Sequence, residues 1–179
     1  LGLIVVPVVT IYGARELGFI LAQCGARALF VPDRWRNVDL AARLRALPAL
    51  PALEWTIATG SEPLPGANLR WAELEALPSA AFPEPRQSAD DVCLINYTSG
   101  TTSAPKGVMH THHTLAVETR HYAGLLEDPT DRSPYMGVTP AGHIGGTILA
   151  LRPFLCGTEI IFVNAWEQER VIRLVRDHA

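Results

Sequence analysis

Lysine is almost missing from this chain. Of its 15 basic residues, 14 are arginine and one, Lys106, is lysine. Charge as a whole is sparse, 18% of residues against a typical share of roughly 25%, and the net value of −3 arises from interspersed signs. No basic tract could follow a phosphate backbone, so nucleic acid is excluded as a partner class. Cysteine is scarce too. Cys24, Cys93 and Cys156 are isolated, odd in number and set in apolar stretches, as reduced core residues are, and their spacing suits neither a disulfide framework nor a zinc site. Long apolar runs are also absent. The opening LGLIVVPVV is interrupted by Pro7, falls short of the roughly 18 residues of a membrane span, and has no basic flank of a signal peptide. A cytoplasmic location without a membrane span is expected.

What the chain does have is apolar material. At 48% of 179 residues it suffices for the core of one ordinary domain or two small ones, and argues against disorder. The first apolar run reads as a buried strand that starts at residue 1. The last residues, His178 and Ala179, directly follow an amphipathic helical pattern. Both ends are therefore expected to be interior points of a longer protein.

Between them, strand and helix patterns alternate. Strands are expected at 3–9, 28–31, 54–58, 92–97, 135–139 and 159–163. Helices are expected at 13–24, 38–47, 71–77, 112–126, 142–154 and 167–176. Gly25 is placed to end the first helix and Thr111 to cap the fourth. This order predicts an α/β fold of βαβ units around a mostly parallel sheet. Its organisation is expected to be a first α/β part at 1–62, a proline-rich surface connection at 63–90, and a second α/β segment at 91–179.

The richest chemistry lies after the strand at 92–97. Residues 98–107 read TSGTTSAPKG, with hydroxyls from Thr98, Ser99, Thr101, Thr102 and Ser103 and the charge of Lys106. Gly100 and Gly107 are expected to adopt backbone conformations that other residues resist. Hydroxyls, backbone N–H groups and one ammonium suit the oxygens of a polyphosphate, and α/β sheets place ligands at such strand ends. The spacing is not that of a P-loop, since Lys106 stands between Pro105 and Gly107. Composition alone would equally allow a plain surface turn.

The ordered string from Ile95 through Thr98-Ser99-Gly100-Thr101-Thr102 to Pro105-Lys106-Gly107-Val108 resembles the phosphate-loop signature of AMP-forming adenylate ligases. Pro140-Ala141-Gly142-His143-Ile144-Gly145-Gly146 is similar to the Pro-x-x-His-x-x-Gly element that follows in that superfamily, and the opening GLIVVPV to the segment that precedes it. The resemblance is strongest to acyl-CoA synthetases and implies part of their large N-terminal domain. It implies ATP, Mg²⁺ and coenzyme A as cofactors and a carboxylic acid as substrate, joined first as an acyl-adenylate and then as a thioester. By position, Thr98, Ser99, Gly100, Thr101, Thr102, Ser103, Lys106 and Gly107 would contact the nucleotide. Gly142, His143, Gly145 and Gly146 would line the acyl site, and Lys106 and His143 would be catalytic. No residue here is expected to bind metal directly: adjacent side chains at His110, His112 and His113 diverge, and the family's ion is held by the phosphates.

Two positions depart from the family pattern. Ser103 replaces a usual glycine, which would strain a positive φ. Gly142 replaces a usual aromatic residue, which would enlarge that side of the acyl site. The Tyr-Gly-x-Thr-Glu and Thr-Gly-Asp elements and the small C-terminal domain lie outside these residues, so the chain alone is expected to be inactive. Apolar surface at its ends is expected to favour homo-oligomers. The alternatives are an adenylation domain that loads a carrier protein, or a nonenzymatic nucleotide- or partner-binding remnant.

Overall fold

A computed structural model of the chain describes residues 2–78, 86–98, 104–126, 133–163 and 166–178. They belong to two units, one drawn from Leu1–Thr10, Pro85–Thr98 and Lys106–Ala179, the other chiefly from Ile11–Glu84. The fold is α/β with mostly parallel pairing.

In the second of these units, helix α1 (Ala14–Gln23) stops at Gly25, whose φ of +61° only glycine adopts without strain. Gly25 N–H donates to the Ala22 carbonyl and Ala26 N–H to that of Leu21, which satisfies the last helical acceptors. Strand β1 (Ala28–Val31), helix α2 (Leu40–Arg45) and strand β2 (Trp55–Ala58) form a βαβ unit with β1 and β2 parallel. Asp39 starts α2 by accepting the Ala42 N–H at 2.8 Å. Leu40 on α2 packs with Val31, Ala58 and Leu64 into the local core.

Besides the expected helix near 71–77, the stretch read as a proline-rich surface connection contains a short strand. Strand β3 (Leu69–Arg70) pairs with β2, and helix α3 (Trp71–Glu75) follows at once. The short ladder is prolonged by Asn68, whose amide accepts from Thr56 N–H and donates to the Glu54 carbonyl, as a backbone would. Two residues carry no period, so sequence could not reveal this strand.

In the other unit, β4 (Val92–Thr98) runs antiparallel to β5 (Lys106–Thr111), and helix α4 (His112–Leu126) begins where β5 ends. Thr111 and Thr114 cap α4 reciprocally, each hydroxyl accepting the other's backbone N–H, at 2.9 and 3.1 Å. Strand β6 (Tyr135–Gly137), helix α5 (Ile144–Cys156) and strand β7 (Ile160–Phe162) make a second βαβ unit with β6 and β7 parallel. α5 packs on α4 and continues through Pro153 to Gly157, at φ +71°. Arg152 of α5 is fully buried, its guanidinium 4.5 Å from the centre of the Tyr135 ring. Helix α6 (Gln168–His178) follows and buries Val171.

The expected first strand is reduced to one bridge. Val5 lies parallel to β4, with Val5 N–H on the Cys93 carbonyl and Ile95 N–H on the Val5 carbonyl, both at 2.9 Å. The next bond of that ladder would need an N–H from residue 7, and Pro7 has none. β4 is thus parallel to this segment on one side and antiparallel to β5 on the other.

Candidate functional site

The register of β4 and β5 builds the site. Thr98, the last residue of β4, and Lys106, the first of β5, are directly opposed. Opposed residues of an antiparallel pair project to the same face, as do alternate residues along one strand. Thr98, Lys106 and Asn96 therefore share a face, while Ile95 and Tyr97 share the other. The strand that leads into the hydroxyl-rich segment is thus parallel to Val5 on one side, as expected, and antiparallel to β5 on the other. The Thr98 hydroxyl lies 3.5 Å from the Lys106 carbonyl, and both side chains are exposed. Of the other expected nucleotide contacts, Ser99, Gly100, Thr101, Thr102 and Ser103 lie outside the described residues.

Gly107 has a different role from the expected conformational freedom. It sits in β5 without a positive φ, opposite Tyr97. A Cβ there would come within 2.9 Å of Ile95 Cγ2 and 3.1 Å of Tyr97 Cζ. The absent side chain makes room for the ring.

His143 stands at the start of α5 in an extended conformation, φ −100° and ψ 147°. Its Nδ1 accepts the Gly145 N–H at 3.1 Å, so the neutral ring carries its proton on Nε2. The ring is exposed. His143 is thus a helix cap that carries its Nε2 on an exposed ring. Thr147 steadies the same turn by donating to the Ala141 carbonyl at 3.1 Å.

The glycines of this element serve local packing. A Cβ on Gly146 would collide with the Pro140 carbonyl. One on Gly142 would lie 2.9 Å from Val9 N and Cγ1 and 3.0 Å from the Val8 carbonyl carbon. The missing side chain at residue 142 therefore leaves no open space in its Cβ direction, contrary to expectation, because the 8–9 segment fills it. At Gly145 the nearest atoms are looser, at 3.3 Å or more.

One hydrogen bond joins the two halves. Asn96, buried on β4, donates from Nδ2 to the Gly142 carbonyl at 3.3 Å. The Thr98–Lys106 face and the His143 turn thereby lie on the same side of β4. Sequence reading passed over Asn96, although a lone amide inside the apolar run VCLINYT was a visible signal. Burial pushes the thiol of Cys93 nearby above its ordinary value.

A family model for AMP-binding enzymes matches residues 1–179. The chain belongs to the AMP-binding enzyme family. It is 26% identical to the medium-chain fatty-acid–CoA ligase of Escherichia coli over 179 residues, covering 98% of this chain and 31% of that protein. It is 29% identical to the fatty acid–[acyl-carrier-protein] ligase ScoC of Streptomyces coeruleorubidus over 181 residues, covering 98% and 32%. The inhibitor-bound N-terminal domain of FACL13 from Mycobacterium tuberculosis shares the fold, with a TM-score of 0.75, 24% identity and coverage of 95% and 40%. The chain spans about a third of the length of the curated relatives it matches.

Among the described residues no group of three His, Cys, Asp or Glu side chains could hold a metal ion. No helix among them is long and apolar enough to cross a membrane.

Proposed function

We propose that this chain supplies the triphosphate-binding hairpin and one wall of the acyl site of an AMP-forming acid–thiol ligase. The observation that carries the reading is the shared face of Thr98 and Lys106, tied to the His143 turn through Asn96. Lys106 and the Thr98 hydroxyl are exposed at the mouth of the hairpin. Donors placed there would bind the β- and γ-phosphates of ATP and offset charge as pyrophosphate departs. Mg²⁺ bound to those phosphates would neutralise part of the same charge. His143 Nε2 would hydrogen-bond the acyl carboxylate that attacks the α-phosphorus.

The acid is a fatty acid and the acceptor is coenzyme A. The E. coli relative, named as a fatty-acid–CoA ligase, supports this reading. A carrier-protein acceptor is the second reading, favoured by the equal coverage of the acyl-carrier-protein ligase. The chain by itself lacks the remaining two thirds of such an enzyme's length and is proposed to be inactive alone.

The test is ATP–pyrophosphate exchange across a panel of carboxylic acids, using the longest polypeptide encoded with this sequence. Acid-dependent exchange that disappears in Lys106→Ala is expected. Exchange with no acid, or full exchange in Lys106→Ala, overturns the reading. Thioester formation with coenzyme A against carrier protein then decides the acceptor.

A further inference from the structure

We infer that Asn96 is a positioning residue, whose side-chain amide holds the Gly142–His143 turn in register with the strand that feeds the phosphate loop. The inference rests on the proposed ligase reading for its kinetic consequence, and on geometry for the rest.

Asn96 is 4% exposed, so water cannot stand in for a lost partner. Its backbone position is set by pairing with Val108 across β4–β5. The side chain is short, with two torsions, so its reach to the Gly142 carbonyl at 3.3 Å leaves little slack. Gly142 is held from another side as well. Val8 and Val9 occupy its Cβ direction, and the segment they belong to is itself bonded to β4 through Val5. β4 thus grips Gly142 twice, directly through Asn96 and indirectly through residues 5–9.

Three links follow in series. Asn96 fixes the Gly142 carbonyl, residue 142 leads into His143, and the His143 ring is oriented by the Gly145 N–H. Two residues beyond Asn96 along the same face is Thr98, opposite Lys106. One amide therefore sets the distance between the histidine that would meet the carboxylate and the groups that would meet the phosphates. Asn96 touches neither substrate. It acts through His143.

The experiment uses Asn96→Leu and Asn96→Asp in the longest encoded polypeptide, both of which remove the amide donor and keep the branching at Cγ. The first readout is independent of activity: the Gly145 amide and His143 imidazole resonances in protein labelled with ¹⁵N at Gly and His. Both are expected to shift in either variant. Unmoved resonances, or failure of both variants to fold, overturn the proposal and leave Asn96 a stabilising residue only. The second readout is kcat for acid-dependent exchange, expected to fall roughly tenfold or more, as misplacement of a reacting group by about 1 Å can cost still more. In a His143→Ala background the same substitutions are expected to cost little further, since the two residues act as one unit. Additive losses overturn the proposal. Shifted resonances in a protein that exchanges with no acid would uphold the positioning and sink the ligase reading instead.

Discussion

The ring of Tyr97 lies over Gly107, its partner across the β4–β5 ladder, and leaves no room for a side chain there. Tyr97 is 7% exposed, so this pair seals one face of the hairpin while Thr98 and Lys106 occupy the other. The packing face and the binding face are adjacent residues of one strand.

Gly107→Ala forces a Cβ against Ile95 and Tyr97, and overpacking of this kind destabilises by about 1–3 kcal/mol. Urea unfolding should show that loss. It should shrink in a Tyr97→Leu background, where the ring that meets the new methyl is gone. An unchanged loss in the double variant would show that Ile95, the nearer neighbour at 2.9 Å, and not the ring, is responsible.

Gly142→Ala meets Val8 and Val9 at 2.9–3.0 Å, where the nearest atoms include backbone. A cost of about 1–3 kcal/mol is expected, with no widening of acid preference toward bulkier substrates. A neutral substitution would mean that the 8–9 segment yields easily and that space is available beside residue 142.

Lys106→Ala removes an exposed charge that forms no salt bridge among the described residues, so thermal unfolding should move by less than about 0.5 kcal/mol. Pyrophosphate exchange should fall by roughly 10²-fold, the scale of removing one donor aimed at developing charge. Lys106→Arg should recover only part of it, because a planar fork does not reproduce a compact ammonium. Loss of stability equal to the loss of exchange would make the lysine structural.

Acid sensitivity at Glu54 follows from its bidentate pair with Arg27, at 2.8 and 3.0 Å. The Arg27 hydrogen bond is the main cause that holds the Glu54 carboxyl below its ordinary value. A carboxylate lowered on folding adds stability that is present above its unfolded pKa and lost as pH falls through the folded one. In Arg27→Ala an NMR titration should find Glu54 returned upward to the usual carboxylate range. Stability at neutral pH should barely change, since both groups are at the surface.

The alternation of elements was legible in the chain because each helix and most strands carry an apolar period or a stop signal. Gly25 ends α1 at positive φ and Thr111 caps α4, both positions that local chemistry alone marks out. The order of residues from Thr98 to Gly107 and from Pro140 to Gly146 likewise carried the family by itself. Local signals of this kind act within a few residues, so they survive translation into one dimension.

Pairing partners do not. Whether Val108 and its neighbours belong to a parallel sheet or fold back on β4 depends on a long-range register, and the structure shows the latter. The same holds for Gly142, whose neighbour Val9 lies far away in the chain, and for Asn96, whose partner carbonyl is 46 residues distant. A glycine reads as freedom in a sequence, yet here the third dimension makes it a place where another group must fit. Residue identity determined what chemistry this protein carries. Only tertiary packing decided which of those groups face one another, because contact between distant residues is set by the burial of everything between them.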